Sequence, residues 1–227
     1  MLILVDKKIP EKALRKLSAY GEVILFETNG ITYDAVSGHP DIFFCQTPDI
    51  LIVAPNTPGK YIDILIKNSI EFTFGNSTVG HKYPETARYN ALVTDSIILH
   101  CISITEINII NLNVNKQVIN VNQGYSRCNC IVVNNQYLTS DMSIFKALSV
   151  SGCKVTYVNP SEIYLKDFKN GFFGGCCGVL NNKLFVCGSI DYLNPEEVTS
   201  IYNINGIEII QLCDEGLFDV GGILFLQ

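Results

Sequence analysis

Two segments of this chain repeat one pattern at a spacing of 47 residues, and this repeat limits the fold more than any other feature. Residues 128–139 read CNCIVVNNQYLT, and residues 175–186 read GCCGVLNNKLFV. Each segment has an apolar run, an Asn-Asn pair and a second apolar run. Asparagine tolerates the positive φ of tight turns, so each segment predicts two antiparallel strands joined by a short turn.

A helix signal and a further strand follow each predicted hairpin. After the second hairpin, Asn194 precedes Pro195 and two glutamates, a combination typical of a helix N-terminus. After the first, Ser140 and Asp141 stand in the same place. Each helix is expected to end near a glycine and to pass into an apolar strand, KVTYV or IEIIQL. The repeated unit is therefore β-β-α-β.

The same unit can be traced three more times along the chain. Helices are predicted to begin near residues 10, 58, 104, 141 and 195. In one of these units, Ser103–Glu106 has the form of a capping box, expected to open a helix that runs to about Asn111. The units are expected to cover residues 219–227 plus 1–27, 38–75, 86–121, 124–158 and 173–212.

The two chain ends are expected to complete one unit together. Asp219–Gln227 is an apolar strand with no helix after it, and the first unit lacks a leading strand, so this segment should pair beside Leu2–Val5. That pairing removes an exposed sheet edge and closes a ring. The predicted fold is a single α/β domain, a five-bladed α/β propeller with pseudo-five-fold symmetry and helices outside. An ordinary layered α/β protein with coincidental spacing is the alternative.

Composition and charge exclude several classes of protein. A chain that is 48% hydrophobic and 17% charged favours a folded core, and its apolar runs are too short to cross a bilayer. The net charge is −6, and basic residues do not cluster, so no nucleic-acid partner is expected. The start lacks the features of a signal peptide, and nine cysteines, an odd number, indicate reduced thiols. We therefore expect a cytoplasmic protein of undetermined oligomeric state, without a membrane partner.

Polar residues interrupt the apolar strands at the place predicted to face the ring axis. The repeat aligns five of them there: Asp41, Asn90, Asn129, Cys176 and Asp219. Polar groups that face inward are costly unless they are satisfied. One interpretation is a pocket with two carboxylates, suited to a cationic small molecule. The other is a polar plug, in which the side chains satisfy one another and ordered water.

The arrangement of five ββαβ units resembles the pentein fold of guanidino-group-modifying enzymes, over nearly the whole chain in architecture. Short motifs are similar to an uncharacterised bacterial branch of that fold, a domain family of unknown function. They are HPDI (39–42), YNA (89–91), GYSRCN (124–129), GFFGG (171–175) and DVGG (219–222). The resemblance implies a cationic or guanidino ligand, and neither it nor any motif indicates a cofactor.

His39 and Asp41 are two residues apart, which in a strand would place both side chains on one face. A His-x-Asp pair in arginine-deiminase-like penteins resembles a general acid/base and a guanidinium-binding carboxylate. The resemblance thus implies catalytic roles for both residues, whereas His100 is expected to be structural and His81 solvated. The expected substrate-binding residues are Asp41, Asn90, Arg127, Asn129 and Asp219. Phe172 or Phe173, with Tyr125, is predicted to form an aromatic rim.

The position of the nucleophile differs from the family pattern. Catalytic penteins carry a cysteine near the C-terminus after a Gly-rich stretch, and here residues 221–227 contain no Cys, Ser or Thr. Cys176 is the expected substitute, and Cys128, whose neighbour Arg127 favours a thiolate, is the alternative. Both also fit buried structural thiols. Cys128 and Cys130 have no second pair at ligand spacing, so no metal site is predicted.

Three functions follow from these features. The first is a hydrolase or transferase acting on a guanidino or related C–N substrate, with His39, Asp41 and Cys176 in catalytic roles. The second is a non-catalytic protein that binds a small molecule, which the missing C-terminal cysteine favours. The third is a protein-interaction role, which the charge balance does not support.

Overall fold

The computed structural model describes residues 1–227, which form a mixed α/β fold of short strands and short helices. The strands are β1 Leu2–Asp6, β2 Glu22–Phe26, β3 Phe44–Gln46, β4 Leu51–Val53, β5 Phe72–Phe74, β6 Leu92–Val93, β7 Ile97–His100, β8 Gln117–Asn120, β9 Cys130–Val133, β10 Gln136–Thr139, β11 Lys154–Tyr157, β12 Ile163–Tyr164, β13 Cys177–Leu180, β14 Lys183–Val186, β15 Glu208–Gln211, β16 Leu217–Phe218 and β17 Leu224–Leu226. The helices are α1 Glu11–Leu17, α2 Gly59–Lys67, α3 Ile107–Asn111, α4 Ser126–Asn129, α5 Met142–Val150 and α6 Pro195–Tyr202.

The strands form five three-stranded sheets with one shared pattern, and one two-stranded sheet. The three-stranded sheets are β17-β1-β2, β3-β4-β5, β6-β7-β8, β9-β10-β11 and β13-β14-β15. In each, the middle strand pairs antiparallel with the first strand and parallel with the last. The small sheet β12-β16 was not predicted. The strands therefore build separate sheets rather than one closed sheet.

The terminal strands pair as the sequence predicts. Strand β17 runs antiparallel to β1, with Leu2 opposite Leu226 and Leu4 opposite Leu224. Strand β2 covers the other edge of β1 in a parallel register. Residues 2–6 and 224–226 are all buried, so this sheet holds the two terminal strands in the interior.

The predicted turns and helix starts agree with the structure, with one exception. Asn134, Asn135 and Asn181 have positive φ, as the hairpin turns require, and the Asp141 side chain caps α5 by accepting from two backbone N–H groups. The capping box predicted at Ser103–Glu106 is wrong, because residues 102–104 form a separate 3-10 turn. Glu106 is itself the cap of α3, and its carboxylate also accepts from the backbone of residues 76 and 77.

The apolar residues pack into clusters between the sheets and the surrounding helices. In the largest cluster, the rings of Phe43, Phe44 and Tyr61 each contact the ring of Phe26. None of the helices is both long enough and apolar enough to cross a membrane. The segments directly before β3, β9 and β13 end in the buried residues Phe43, Asn129 and Cys176.

Those segments are helical turns, not strands, and this corrects the geometry expected for His39 and Asp41. Pro40–Ile42 is a 3-10 turn with proline at its first position, because proline fixes φ and cannot donate to a strand ladder. His39 precedes this turn and Asp41 lies within it. The side chains of His39 and Asp41 are therefore brought together by this turn, and not by the alternation of side chains along a strand.

The strand registers also correct the alignment of the polar positions. The first residue of the leading strand faces the last residue of the middle strand in three sheets: Phe44 with Val53, Cys130 with Thr139, and Cys177 with Val186. Asn129 and Cys176 therefore correspond to Phe43, and Asp41 lies two residues before that place. The predicted alignment of Asp41 with Asn129 and Cys176 is therefore wrong by two residues.

Candidate functional site

A cavity of about 80 Å³ lies where the turn at residues 39–42, helix α4 and the loop after β12 meet. Its polar walls are His39, Cys128, Asn170 and Asp219. Its other walls are apolar or aromatic: Tyr33, Val36, Ile42, Tyr125, Leu165, Phe168 and Phe172. Phe168 is exposed, whereas His39 and Cys128 are buried. The cavity thus has an aromatic outer part and a polar inner part, and the rim predicted at Tyr125 and Phe172 is present.

His39 lies between two carboxyl groups inside the protein. Its Nε2 is 3.8 Å from Oδ2 of Asp6, and its Nδ1 is 3.9 Å from Oδ1 of Asp219. Both distances exceed hydrogen-bond length, and Nδ1 has no hydrogen-bond partner. Burial, with the positive charge of Lys8 nearby, lowers the pKa of His39 to about 3. The imidazole is therefore neutral in the empty cavity. Burial opposes its protonation, whereas ionised Asp6 and Asp219 would favour it.

Cys128 and Asp41 form the closest contact between reactive groups in the site. The thiol of Cys128 donates to Oδ2 of Asp41 at 2.8 Å. Burial raises the pKa of Asp41 to about 6, although the charge of Arg127 opposes the rise. Burial and the charges of Asp41 and Asp219 raise the pKa of Cys128 well above its ordinary value. Without a ligand the thiol is protonated.

Asp219 is held in place by backbone donors and by glycines. It accepts from the N–H of Phe172 at 2.9 Å and from the N–H of Gly221 at 3.0 Å. A side chain at Gly175 would place its Cβ 2.0 Å from Oδ1 of Asp219. Burial raises the pKa of Asp219 to about 7, while both backbone donors favour the ionised form. The glycines in GFFGG thus make room for this carboxyl group.

Gly221 makes the close approach of the C-terminal segment possible. Its φ is +65°, and a Cβ there would lie 2.3 Å from Cβ of His39. Its carbonyl also accepts from the backbone N–H of Asp41. The DVGG motif therefore supplies a carboxyl group and a backbone that fits against His39.

Asn90 and Arg127 position the site rather than line its cavity. The Asn90 side chain donates to the carbonyl of Asp41 at 3.2 Å and accepts from the N–H of Cys128 at 3.0 Å. The Arg127 guanidinium donates to the carbonyls of Gly174 and Cys177. Both side chains thus fix the backbone on which the reactive groups stand.

Asn129 and Cys176 do not join the other polar residues. The Asn129 amide donates to the carbonyl of Tyr125 and accepts from the hydroxyl of Ser140. Cys176 is fully buried, and its thiol donates to the carbonyl of Phe172 at 3.4 Å. Neither residue lines the cavity. Of the five aligned positions, Asp219 alone lines the cavity.

The structure also shows residues that the repeat did not reveal. Asp6 ends β1 and faces His39, and burial raises its pKa to about 6. The sequence signal that could have identified Asp6 is its position as a charged residue directly after the apolar run LILV. His100 is buried, and its ring nitrogens lie 2.7 Å from the Thr105 hydroxyl and 2.7 Å from the Gly124 carbonyl, which confirms its structural role.

The sequence of the chain matches one family model. It is described as a family of unknown function (DUF6873), and the match covers residues 4–224. No curated protein sequence matches the chain.

Solved structures with a similar fold are penteins. A cysteine-to-serine variant of DDAH from Pseudomonas aeruginosa, complexed with citrulline, has a TM-score of 0.50 at 11% identity. That alignment covers 89% of this chain and 80% of the other. Agmatine deiminase from C. jejuni has a TM-score of 0.51 at 11% identity, over 92% of this chain and 86% of the other. A cysteine-to-serine variant of the same enzyme, with substrate bound, gives the same values. At this identity the likeness establishes the fold.

Proposed function

The chain belongs to the DUF6873 family, and from its site we propose that it is a thiol-dependent enzyme that cleaves a C–N bond of a small guanidino or amidino cation. One observation carries the proposal. The thiol of Cys128 is hydrogen-bonded to Asp41 at the wall of a cavity that His39 and Asp219 also line. This combination supplies a nucleophile, two groups that accept protons and a carboxylate that attracts a cation.

We place the sheets of this enzyme as five blades around one axis, in a single domain with pseudo-five-fold symmetry. The shared pairing pattern of the five three-stranded sheets supports this arrangement, with β17-β1-β2 closing the ring. The likeness to DDAH and agmatine deiminase over most of the chain also supports it. All nine cysteines are free, which fits a reducing compartment and hence a cytoplasmic protein.

A bound cation changes the protonation of the carboxyl and thiol groups in the direction that catalysis needs. Burial disfavours ionisation of Asp219, Asp41 and Cys128 in the empty cavity. A positive charge a few ångströms away favours the charged form of each. The aromatic rings at the mouth add a favourable contact with a cation. The substrate thus assists in generating its own nucleophile.

The reaction can be written with a balanced transfer of protons. The Cys128 thiol gives its proton to Asp41 while sulfur bonds to the guanidinium carbon. Asp41 then returns that proton to the departing nitrogen, and the C–N bond breaks. His39 takes a proton from water as the oxygen attacks the same carbon. The C–S bond then breaks while His39 gives that proton to sulfur, which restores both the thiol and the neutral imidazole. The new hydroxyl group releases its remaining proton to solvent and becomes the carbonyl of the urea product. With an amine in place of water, the same steps transfer the amidino group.

Cys128, rather than Cys176, is the nucleophile in this proposal. Cys128 lines the cavity and contacts a carboxyl group that can take its proton. Cys176 contacts only a backbone carbonyl with its thiol, and it does not line the cavity. The two cysteines therefore serve as a test residue and a matched control.

The cavity favours cations that carry no acidic group. No lysine or arginine is among its lining residues, and Asp219 adds negative charge. The carboxylate of an amino acid would find no cationic partner there. We therefore place methylguanidine and agmatine ahead of arginine as substrates.

A non-catalytic binding protein is the second candidate, and the raised pKa of Cys128 favours it. A thiol that stays protonated is a poor nucleophile. In that case the same cavity binds the cation and releases it unchanged. The two candidates share the ligand and differ in the chemistry.

Thermal unfolding and product release, measured with methylguanidine, agmatine and arginine, separate these outcomes. Binding to the native state must raise the melting temperature. The enzyme proposal expects a shift, release of ammonia or amine, and loss of release in Cys128→Ser but not in Cys176→Ser. A shift without release supports the binding protein. No shift with any of the three compounds would refute both candidates.

A further inference from the structure

Three potential metal ligands of different chemistry meet at the inner end of the cavity, and we propose that His39, Asp41 and Cys128 form a zinc site. All three side chains are buried, and one ligand atom from each lies within 4.8 Å of the other two. Zinc binds sulfur, nitrogen and oxygen at about 2.0–2.3 Å, which places neighbouring ligand atoms about 3–4 Å apart. The existing arrangement is close to that spacing.

Two atoms of this cluster lack a hydrogen-bond partner. They are Nδ1 of His39 and Oδ1 of Asp41, both fully buried. An unsatisfied buried polar atom destabilises the folded state, and such atoms are uncommon in native proteins. A cation between the side chains would accept both lone pairs. The unpartnered atoms thus belong to two of the proposed ligands.

The surroundings of His39 suit a metal-bound imidazole. If Nδ1 binds the ion, Nε2 carries the hydrogen and faces Oδ2 of Asp6 at 3.8 Å. A carboxylate next to the second ring nitrogen is the usual partner of a metal-binding histidine, because it orients the ring. Asp6, which the proposed reaction does not use, therefore has a role as a positioning residue.

The donor set selects zinc over the common hard cations. One sulfur, one imidazole nitrogen and one carboxylate oxygen suit zinc, whereas magnesium and calcium prefer oxygen ligands alone. As the S–Zn bond forms, Cys128 loses its proton to solvent, and no electron is transferred. Three protein ligands leave a fourth position for water.

Zinc and a guanidino cation would compete for the same cavity, because His39 and Cys128 line it. Zinc would withdraw the thiolate that the proposed reaction uses and would therefore inhibit it. The metal site itself does not depend on that reaction. Each is measured by a separate experiment.

The test uses the reduced full-length protein after removal of metal with a chelator. Zn²⁺ affinity is measured by competition with a chelating dye, and Co²⁺ is added separately as a spectroscopic probe. We expect one equivalent of metal and a near-ultraviolet band from thiolate bound to cobalt. Cys128→Ser should lose the band and weaken zinc binding by at least about 100-fold, beyond the effect of losing an outer partner. Cys176→Ser should retain both properties.

A second measurement needs no variant and applies if Cys128→Ser fails to fold. Zn²⁺ should protect Cys128 of the wild-type protein from alkylation, as located by peptide mass spectrometry. Absence of stoichiometric binding, or binding without protection of Cys128, would overturn the zinc site. Binding of methylguanidine to the metal-free protein is measured independently, so failure of one proposal leaves the other open to its own test.

Discussion

The sulfur of Cys128 lies 2.8 Å from Oδ2 of Asp41, although 87 residues separate the two in the chain. Asn90 holds both partners, since its amide donates to the Asp41 carbonyl and accepts from the Cys128 backbone N–H. Three sequence segments thus converge on one thiol–carboxyl pair.

A cationic alkylating agent should label Cys128 faster than a neutral agent of similar size. Chloroacetamidine carries a positive charge that Asp219 and the aromatic mouth attract, whereas chloroacetamide does not. Peptide mass spectrometry gives the rate at each cysteine. Asp219→Asn should reduce the preference for the amidine at Cys128. Equal rates for both agents in the wild-type protein would contradict a cation-binding cavity.

Replacing Asp41 by asparagine should weaken binding of methylguanidine without destabilising the empty protein. Asp41 contacts Cys128 at the cavity wall, so the change removes a negative charge that attracts the cation. The loss of binding free energy should not exceed about 1.5–3 kcal/mol, the contribution of a charged hydrogen bond. In the empty protein the change removes a buried carboxyl group whose ionisation is unfavourable, so the free energy of unfolding at pH 8 should be unchanged or higher. Chemical denaturation with and without ligand measures both quantities.

Asp219→Asn provides the comparison for that result. It should weaken ligand binding in the same way, but it also replaces one of two oxygens that accept backbone N–H groups. Its empty form should therefore be less stable than that of Asp41→Asn. If both variants lose stability and the ligand response is unchanged, the site is a structural polar cluster.

The buried His100 should make the protein less stable as the pH falls from about 6.5 towards 4. Burial lowers its pKa to about 4 in the folded state, whereas the unfolded chain has the ordinary value of 6.5. The unfolded state thus binds more protons in this window. The contribution to stability is present above 6.5 and is lost as the pH falls towards 4.

His100→Gln isolates this contribution from those of the other titrating groups. The difference in unfolding free energy between variant and wild type should change across the window in favour of the variant at low pH. The exposed His81 is the control, and His81→Gln is measured in the same way. An equal change in both variants would contradict the assignment to His100.

Removal of residues 221–227 should prevent stable folding. The truncation deletes β17, exposes the edge of β1 and removes the buried side chains of Ile223, Leu224 and Phe225. Circular dichroism and the yield of soluble protein report the effect. Deletion of the exposed Gln227 alone should leave the melting temperature nearly unchanged. A folded, soluble truncated protein would show that β17 is dispensable.

Much of the fold was predictable because its signals are local. The Asn-Asn turns, the Asp141 cap and the apolar runs each act within a few residues, and the structure contains all of them. The capping box at Ser103–Glu106 failed because tertiary contacts draw the Glu106 carboxylate to residues 76 and 77. The sequence around Glu106 does not reveal these contacts, because their partners lie far away in the chain.

The sequence by itself determined the repeated β-β-α-β order, the pairing of the chain ends and the residues His39, Asp41 and Asp219 as polar exceptions in apolar surroundings. Local turn chemistry and the burial of apolar residues are sufficient for these. The sequence did not determine the helical turns before β3, β9 and β13 or the sheet β12-β16. Only the tertiary structure decided that Cys128 rather than Cys176 meets Asp41, and that Asp6 faces His39. Each of these contacts joins segments that are far apart in the chain, so it depends on how those segments pack together.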